Sequence, residues 1–415
     1  GFIDLHIHGV TNVEQEYQVH DGVTSAFELE AGLPFLKSWF TSRKGKAIIN
    51  YGASVQWPMA RVQAHGQSDK ELVALESSLA KGDPGHDGTW DLIRKFGYQS
   101  LSAEEITKML DNIKNSLDEG ALGVGIPVGY LPGATAEEVF RIYQLAAELQ
   151  VPIFTHVREG GIIAVQQAIS DALVTGAPLH IVHVNSVSLG GIGVAIEMVN
   201  SAQKKGFDIT TELYPYTAAS TGLASALFDE GWQKRMSIDY GDLQWVATGE
   251  RLAEETFNKY RKEGGTVIIH MMKPDWIKLG ISSANTMIAS DGMPYAKLAH
   301  PRTAGTFSRV LGKYVREEKV ISLPEAIAKM TLLPAKRLET VAPSMRFKGR
   351  IQVGADADIT VFNPDKIIDR ATFEKGLAFS EGVQYVLVNG KLVLKDGKTA
   401  QTVFPGQPVY GKYKK

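Results

Sequence analysis

The stretch "GFIDLHIHGV" (1–10) places two histidines, His6 and His8, two residues apart at the end of an apolar run. In an extended strand alternate side chains share a face, so both imidazoles project the same way. The start in the middle of a core-like strand also reads as a chain whose natural N-terminus lies further upstream.

Runs of the same texture recur: "SAFELE" (25–30), "KAIINYGA" (46–53), "ALGVGIPV" (121–128), "VPIFTHV" (151–157), "LHIVHVN" (179–185), "FDITTELYPY" (207–216) and "TMIASD" (286–291). With "FIDLHIH" (2–8) they make eight strand candidates. Between several of them lie helix-period segments such as "TAEEVFRIYQLAAELQ" (135–150), whose start has capping-box spacing, and "GIGVAIEMVNSAQKKG" (191–206). Eight strands with helical crossovers predict an α/β fold, a parallel (β/α)8 TIM-type barrel over residues 1–345. A doubly wound open sheet is the competing arrangement. "TVIIHMM" (266–272) reads as an insertion between the seventh and eighth barrel strands, and the link from His8 to Ser25 is short for a crossover helix. After residue 345 the texture changes to "GRIQVGADADITVFNPDK" and "VQYVLVNGKLVLKDGKTA", where Asn-Gly and Asp-Gly flanked by alternating apolar residues signal hairpins. Residues 346–415 therefore read as a small β domain. Its few strands are too little sheet to stand alone, so chain upstream of Gly1 is expected to complete it.

The bulk properties narrow the partners. The 415 residues are 44% hydrophobic and carry a net charge of −2, with no basic tract beyond the terminal "GKYKK". Capture of nucleic acid or of an anionic membrane is not indicated, and a small-molecule substrate is expected. There are no cysteines, which excludes disulfides, thiolate metal sites and a cysteine nucleophile. No apolar stretch approaches the roughly 20 residues needed to span a bilayer, and no signal peptide is visible, so a cytoplasmic location is expected. Association into a homo-oligomer is compatible with a barrel of this size.

In such barrels the active-site groups come from the C-terminal ends of the strands. Seven polar residues that interrupt the apolar runs fall there: His6, His8, Glu28, Glu30, His156, His183 and Asp291. Burying so many ionisable groups without compensation is costly, and one or two divalent metal ions resolve that cost. Nitrogen and oxygen donors without sulfur suit zinc, with manganese, iron or nickel as further choices.

These motifs carry a family resemblance. "GFIDLHIHG", a histidine ending each of the fifth and sixth strands, and "ASDG" ending the eighth resemble the metal-dependent amidohydrolase superfamily. "GALGVGIPVGYLPGATAEE", "FTHVREGG", "ELYPYTAAST", "MIASDGMP", "HPRTAGTFSRVLGKYVREEKVISLPEAIAKMT" and "GRIQVGADADITVFNP" resemble the N-acyl-D-amino-acid deacylases (D-aminoacylases) from about residue 120 to 400. Residues 9–120 match poorly apart from "DGVTS".

The resemblance implies that His6, His8 and Asp291 hold one metal, and His156 and His183 the other. Deacylases add a cysteine just after the second strand, where this chain reads "FELEAG". Glu28 or Glu30 is expected to replace it, Glu30 being nearer the strand's end. It further implies amide hydrolysis by metal-activated water, with Asp291 as proton shuttle and Tyr214 stabilising the developing oxyanion. Arg302 of "HPR" is the expected carboxylate partner, with Tyr130, Arg158 and Ser220 around it. The lysine that deacylases carry two residues after the sixth-strand histidine is Asn185 here; the resemblance implies that Asn185 is a substrate contact in its place, so one positive charge is missing from the expected pocket. The same centre could instead open a cyclic amide, as dihydroorotases and hydantoinases do, or deaminate a heterocycle; a metal-free binding barrel is the non-enzymatic alternative.

Overall fold

A computed structural model describes residues 1–66, 69–81, 86–294, 296 and 298–415. Seven strands follow one another in a parallel sheet: β1 (Phe2–Asp4), β2 (Val23–Leu33), β3 (Asn50–Gln56), β4 (Val124–Pro127), β5 (Ile153–His156), β6 (Leu179–Ile181) and β7 (Ile209–Leu213). An inserted antiparallel sheet follows, built from β8 (Ala219–Gly222), β9 (Leu243–Trp245) and β10 (Thr266–Ile269) with β10 in the middle. The chain then returns to the main sheet as β11 (Thr286–Ile288), parallel to β7. The ring is closed by a parallel bridge between Ile7 and Gly292, where the His8 amide donates to the Gly292 carbonyl at 2.6 Å. This closure decides for the barrel over the open doubly wound sheet, and each of the eight expected runs contributes one of its strands.

The short link after His8 does hold a helix, Asn12–His20, and a complete capping box of Thr11 and Glu14 makes nine residues sufficient. The helix Ala136–Leu149 departs from expectation at its start. Thr135 accepts from the Glu138 amide, but the Glu138 carboxylate turns inward to Arg61 at 2.6 Å and Trp57 at 3.0 Å, so the box is half formed. The insertion holds "TVIIHMM" as expected and has its own apolar core, which includes Phe228, Trp232, Trp245, Phe257 and Val267.

Beyond the barrel, β12 (Ile359–Phe362), β13 (Val383–Val388), β14 (Lys391–Lys395) and β15 (Lys398–Thr399) form a four-stranded antiparallel sheet. The turn between β13 and β14 has Asn389 and Gly390 at φ 48° and 75°, the double left-handed conformation that a tight hairpin demands. The tail then returns to the barrel, where Tyr51 and Val409 exchange backbone bonds with their partners across β3. The edge strand β12 leaves Ile359 and Val361 exposed.

One buried carboxylate ties these parts together. The helix Arg302–Arg309 breaks at Gly305, and the amides of Phe307 and Ser308 beyond the break both donate to Asp21 at 2.8 Å. The Ser380 hydroxyl donates to the same carboxylate at 3.0 Å. Each buried donor left without a partner costs about 1–3 kcal/mol. Asp21→Ala is therefore expected to lower unfolding stability by about 3 kcal/mol or more, read from the urea midpoint at constant slope. Asp21→Asn, which keeps an acceptor, should lose less. An unchanged midpoint in Asp21→Ala would show that the helix break is held by other contacts.

Candidate active site

The C-terminal ends of β1, β2, β5, β6 and β11 converge on one cluster. Its centre is Glu30. One carboxylate oxygen lies 3.4 Å from His6 Nε2 and 3.3 Å from His8 Nε2; the other lies 3.0 Å from His156 Nδ1 and 3.5 Å from His183 Nε2. Asp291 Oδ1 faces the same two strand-1 rings, at 3.5 Å from His6 and 3.2 Å from His8. His6, Glu30 and His183, and separately His6, His8 and Asp291, bring donor atoms within 4.8 Å of one another. The rings of His6 and His8 are 5.1 Å apart, as one shared strand face requires.

Glu28 and Glu30 share strand parity but not position. Between Glu28 and Leu33 the pairing of β2 with β3 shifts, and only Ala53 to Val55 lie opposite. A bulge of this kind re-aims side chains. Glu30 is turned to the centre, while Glu28 reaches His8 Nδ1 at 2.9 Å and accepts from the Ala31 amide. The bulge needs room on β4. A Cβ on Gly125 would stand 2.4 Å from the Glu30 carbonyl oxygen, so glycine is required there. His183 and Asp291 sit at φ 33° and 51°, a left-handed backbone that costs non-glycine residues about 1–2 kcal/mol. Such strain persists where the surroundings over-determine it, commonly at functional sites.

Electrostatics follow from burial and crowding. Burial alone would raise the Glu30 carboxyl, but hydrogen bonds from His156, His183, His6 and His8 hold it well below the usual carboxylate range. Burial also opposes a charged His6, yet the carboxylates of Asp291 and Glu212 push its pKa up to about 10. Asp291 is held low against its own burial by Arg302 and His6. The clustered carboxylates thus attract positive charge. The donor set is nitrogen and oxygen alone, and among the described residues buried His6 Nε2 and His183 Nδ1 have no hydrogen-bond partner. That chemistry fits a divalent ion.

A cavity of about 700 Å³ opens above the cluster, and His8, Glu30, His156, His183 and Asp291 form part of its wall. Tyr130, Arg158, Tyr214 and Ser220 also line it. Tyr130 is tied to Thr221 at 2.9 Å and Arg158 donates to the Ala134 carbonyl at 2.6 Å. Among the described residues the buried Tyr214 hydroxyl makes no hydrogen bond of normal geometry, and burial keeps its pKa above the ordinary value against the nearby Arg302 and Ser186. Arg302 is buried with Nη2 2.9 Å from Asp291 and donating to the Ser220 carbonyl at 3.2 Å; its guanidinium lies 4.6 Å from the Tyr214 ring. Among the described residues its buried Nε and Nη1 have no hydrogen-bond partner, and Arg302 is not part of the cavity wall.

Asn185 needs correction as a substrate contact. It is fully buried beneath the site, with Nδ2 donating to the Tyr214 carbonyl at 3.1 Å, and it is not part of the cavity wall. Its left-handed predecessor His183 starts a short helix that turns position 185 inward. Three buried residues were not foreseen from the sequence: Asp4, His180 and Glu212. Glu212 holds His6 Nδ1 at 2.6 Å, and Asp4 accepts from the amides of His6 and Ser290. Their signal was there to be read, a charged or imidazole side chain inside "FIDLH", "LHIVH" and "TTELY" where a barrel interior normally takes aliphatic groups.

The fold and the site define a metal-site type of barrel enzyme, and comparison with known proteins places it. The amidohydrolase family profile matches residues 184–394, and the chain belongs to that family. It is a hydrolase of non-peptide carbon–nitrogen bonds. It is 28% identical over 432 residues to an N-acyl-D-glutamate deacylase of Alcaligenes xylosoxydans xylosoxydans, covering 94% of this chain and 82% of that protein. The crystal structure of a D-aminoacylase superposes with a TM-score of 0.79 at 22% identity, covering 99% of this chain and 88% of the other. An N-acyl-D-glutamate deacylase from Bordetella bronchiseptica, solved with zinc and a phosphonate mimic of the tetrahedral intermediate, superposes at 0.78 and 24% identity with the same coverage, 99% and 88%. Among the described residues no helix is long and apolar enough to cross a membrane.

The central place of Glu30 has a direct consequence. In equilibrium dialysis against Zn2+, Glu28→Ala is expected to weaken ion binding by about 10- to 100-fold, as loss of an outer partner does, and Glu30→Ala by more. Equal losses in the two variants would remove the distinction drawn between them.

Proposed function

We propose that the protein deacylates N-acyl amino acids, with N-acyl-D-amino acids as the substrate class, at a divalent metal centre of the zinc type. The observation that carries this reading is Glu30, flanked by four imidazoles and Asp291 at the floor of a cavity large enough for a small organic acid. The relatives named above support the substrate class, and the zinc in the Bordetella bronchiseptica enzyme supports the metal. On this reading residues 1–345 are the catalytic unit and 346–415 an accessory β unit.

His6, His8, His156, His183, Glu30 and Asp291 would hold the ion or ions. When bound, such an ion lowers the pKa of a coordinated water to around 7 and polarises a carbonyl. The protein's own groups do the rest. Asp291 takes a proton from the attacking water and hands it to the leaving nitrogen, so that one water is consumed and the products are a carboxylic acid and an amine. The unpartnered Tyr214 hydroxyl is the donor available to the carbonyl oxygen as it gains charge. Arg302 is the residue that the deacylase resemblance assigns to the substrate carboxylate, and a direct contact requires its buried Nε and Nη1 to be uncovered, since it stands behind Asp291 and Ser220 outside the cavity wall. Ser220, Tyr130 and Arg158 border the space around it.

Assay of Zn2+-loaded protein against N-acyl-D-amino acids, their L-enantiomers, hydantoin and dihydroorotate tests the proposal. Turnover of the D-series is expected, and hydrolysis of the cyclic amides alone would overturn it. In Asp291→Asn, kcat should fall by about 10²- to 10⁴-fold while most of the metal is retained; full activity would contradict the shuttle.

A further inference from the structure

Glu212 lies one layer beneath the rim, in register with Met287 of β11, on the barrel face that also carries Phe154 against His180. It is 1% exposed, and burying a carboxylate there is expensive unless it is matched. Among the described residues its ion-pair partners are two imidazoles and no lysine or arginine. One oxygen is 2.6 Å from His6 Nδ1; the other is 3.3 Å from His180 Nε2. His180 is itself fully buried, takes no part in the rim cluster, and has its Nδ1 2.8 Å from the Thr210 hydroxyl.

We propose that Glu212, backed by His180, is a positioning pair that fixes the tautomer and orientation of His6 and thereby sets the affinity of the rim for its ion. The inference rests on the metal-centre reading given above. His180 Nε2 stands 3.3 Å from one oxygen of Glu212 at ion-pair distance without a formed hydrogen bond, while the Thr210 hydroxyl beside His180 Nδ1 also donates to the Leu179 carbonyl at 3.4 Å. The other oxygen of Glu212 accepts the Nδ1–H of His6, which leaves the His6 Nε2 lone pair facing the space between Glu30 and Asp291, 3.4 and 3.5 Å away. A carboxylate on the far nitrogen of a ligating imidazole fixes the ring and raises its basicity as a donor, and removing such a partner typically costs 10- to 100-fold in metal affinity. The same device appears on the neighbouring ring, where Glu28 holds His8 Nδ1 at 2.9 Å. Glu28 is anchored by a backbone amide, whereas Glu212 is anchored by a second histidine. A pair serving packing alone would not need both oxygens aimed at ring nitrogens of one line ending at the rim.

The test uses Co2+ as probe, with affinity read by chelator competition and ligand field by visible absorption of the bound ion. Glu212→Ala is expected to weaken Co2+ binding about 10- to 100-fold and to shift the absorption of the fraction that still binds. Glu212→Gln, which keeps an acceptor without the charge, should fall between it and the wild type. His180→Ala should lose less than Glu212→Ala and add nothing in the double variant, because its effect passes through Glu212. Should Glu212→Ala fail to fold, Glu212→Gln is read in the same way. Wild-type affinity and spectrum in the Glu212 variants would overturn the proposal. So would a lower thermal midpoint with an unchanged spectrum, the mark of a merely structural pair. Strictly additive losses would remove His180 from it. A wild-type protein that binds no Co2+ would overturn the metal reading itself, an outcome distinct from variants that match a wild type that binds.

Discussion

The constraint on which this structure depends is the concentration of negative charge at one end of the barrel. Glu28, Glu30, Glu212 and Asp291 are all buried within hydrogen-bond reach of the same small group of imidazoles, and among the described residues Arg302 is the one guanidinium paired with them. Four carboxylates against one guanidinium leave an excess of three negative charges when the histidines are neutral. At an effective dielectric of about 20, two unit charges 4 Å apart interact by about 4 kcal/mol, so the cluster is unstable without cations or protons. His6, pushed up to about 10, shows the proton solution. On the proposed reading, one divalent ion leaves a single negative charge and two leave a single positive one. The second balance suits an anionic nucleophile and an anionic substrate; the first repels both.

The fold pays for this arrangement locally, in conformations that regular strands avoid. The bulge in β2 brings Glu30 to the centre and leaves Glu28 behind His8. His183 and Asp291 leave their strands through left-handed backbone, which turns the imidazole and the carboxylate inward where the chain would otherwise run on. Ring closure fixes the remaining degree of freedom. Asp4, whose burial pushes its carboxyl up to about 7 against the hydrogen bonds it accepts, takes amides from both His6 and Ser290 and so locks the first strand to the last. The rim residues far apart in sequence are therefore held by the barrel seam and by three local distortions, not by contacts with one another alone.

Much of this was legible before any coordinates. Short apolar runs marked all eight barrel strands, and five of them carry a histidine or carboxylate at the C-terminal end: His8, Glu30, His156, His183 and Asp291. Asn389-Gly390 announced its own turn. What sequence could not supply was direction at irregular positions. Glu28 and Glu30 are equivalent by parity, and the pairing shift that separates them depends on the space left by Gly125 on a different strand. Asn185 was placed by analogy with a lysine, and the inward turn after His183 is invisible in the residue pattern. Glu212 and His180 were overlooked because they lie below the strand ends, where polar groups were not sought.

Recognition and proton transfer meet in Arg302. Its guanidinium is stacked on Tyr214, donates to the Ser220 carbonyl, and pairs with Asp291. The group expected to receive the substrate carboxylate is therefore the same one that steadies the general base. On the proposed reading, an anionic substrate in the cavity acts on a cation that stands behind the wall and is already committed to Asp291, and it must share that charge with Asp291. A neutral amide would leave the guanidinium wholly on Asp291 and would miss this exchange. With Asn185 tied to the Tyr214 backbone in place of a second cation, the dependence on one guanidinium is sharper, since there is no lysine at that position to take over the substrate's charge. On the proposed reading, a preference for an acidic substrate would rest on the charge balance between Asp291 and Arg302 as much as on the shape of the cavity.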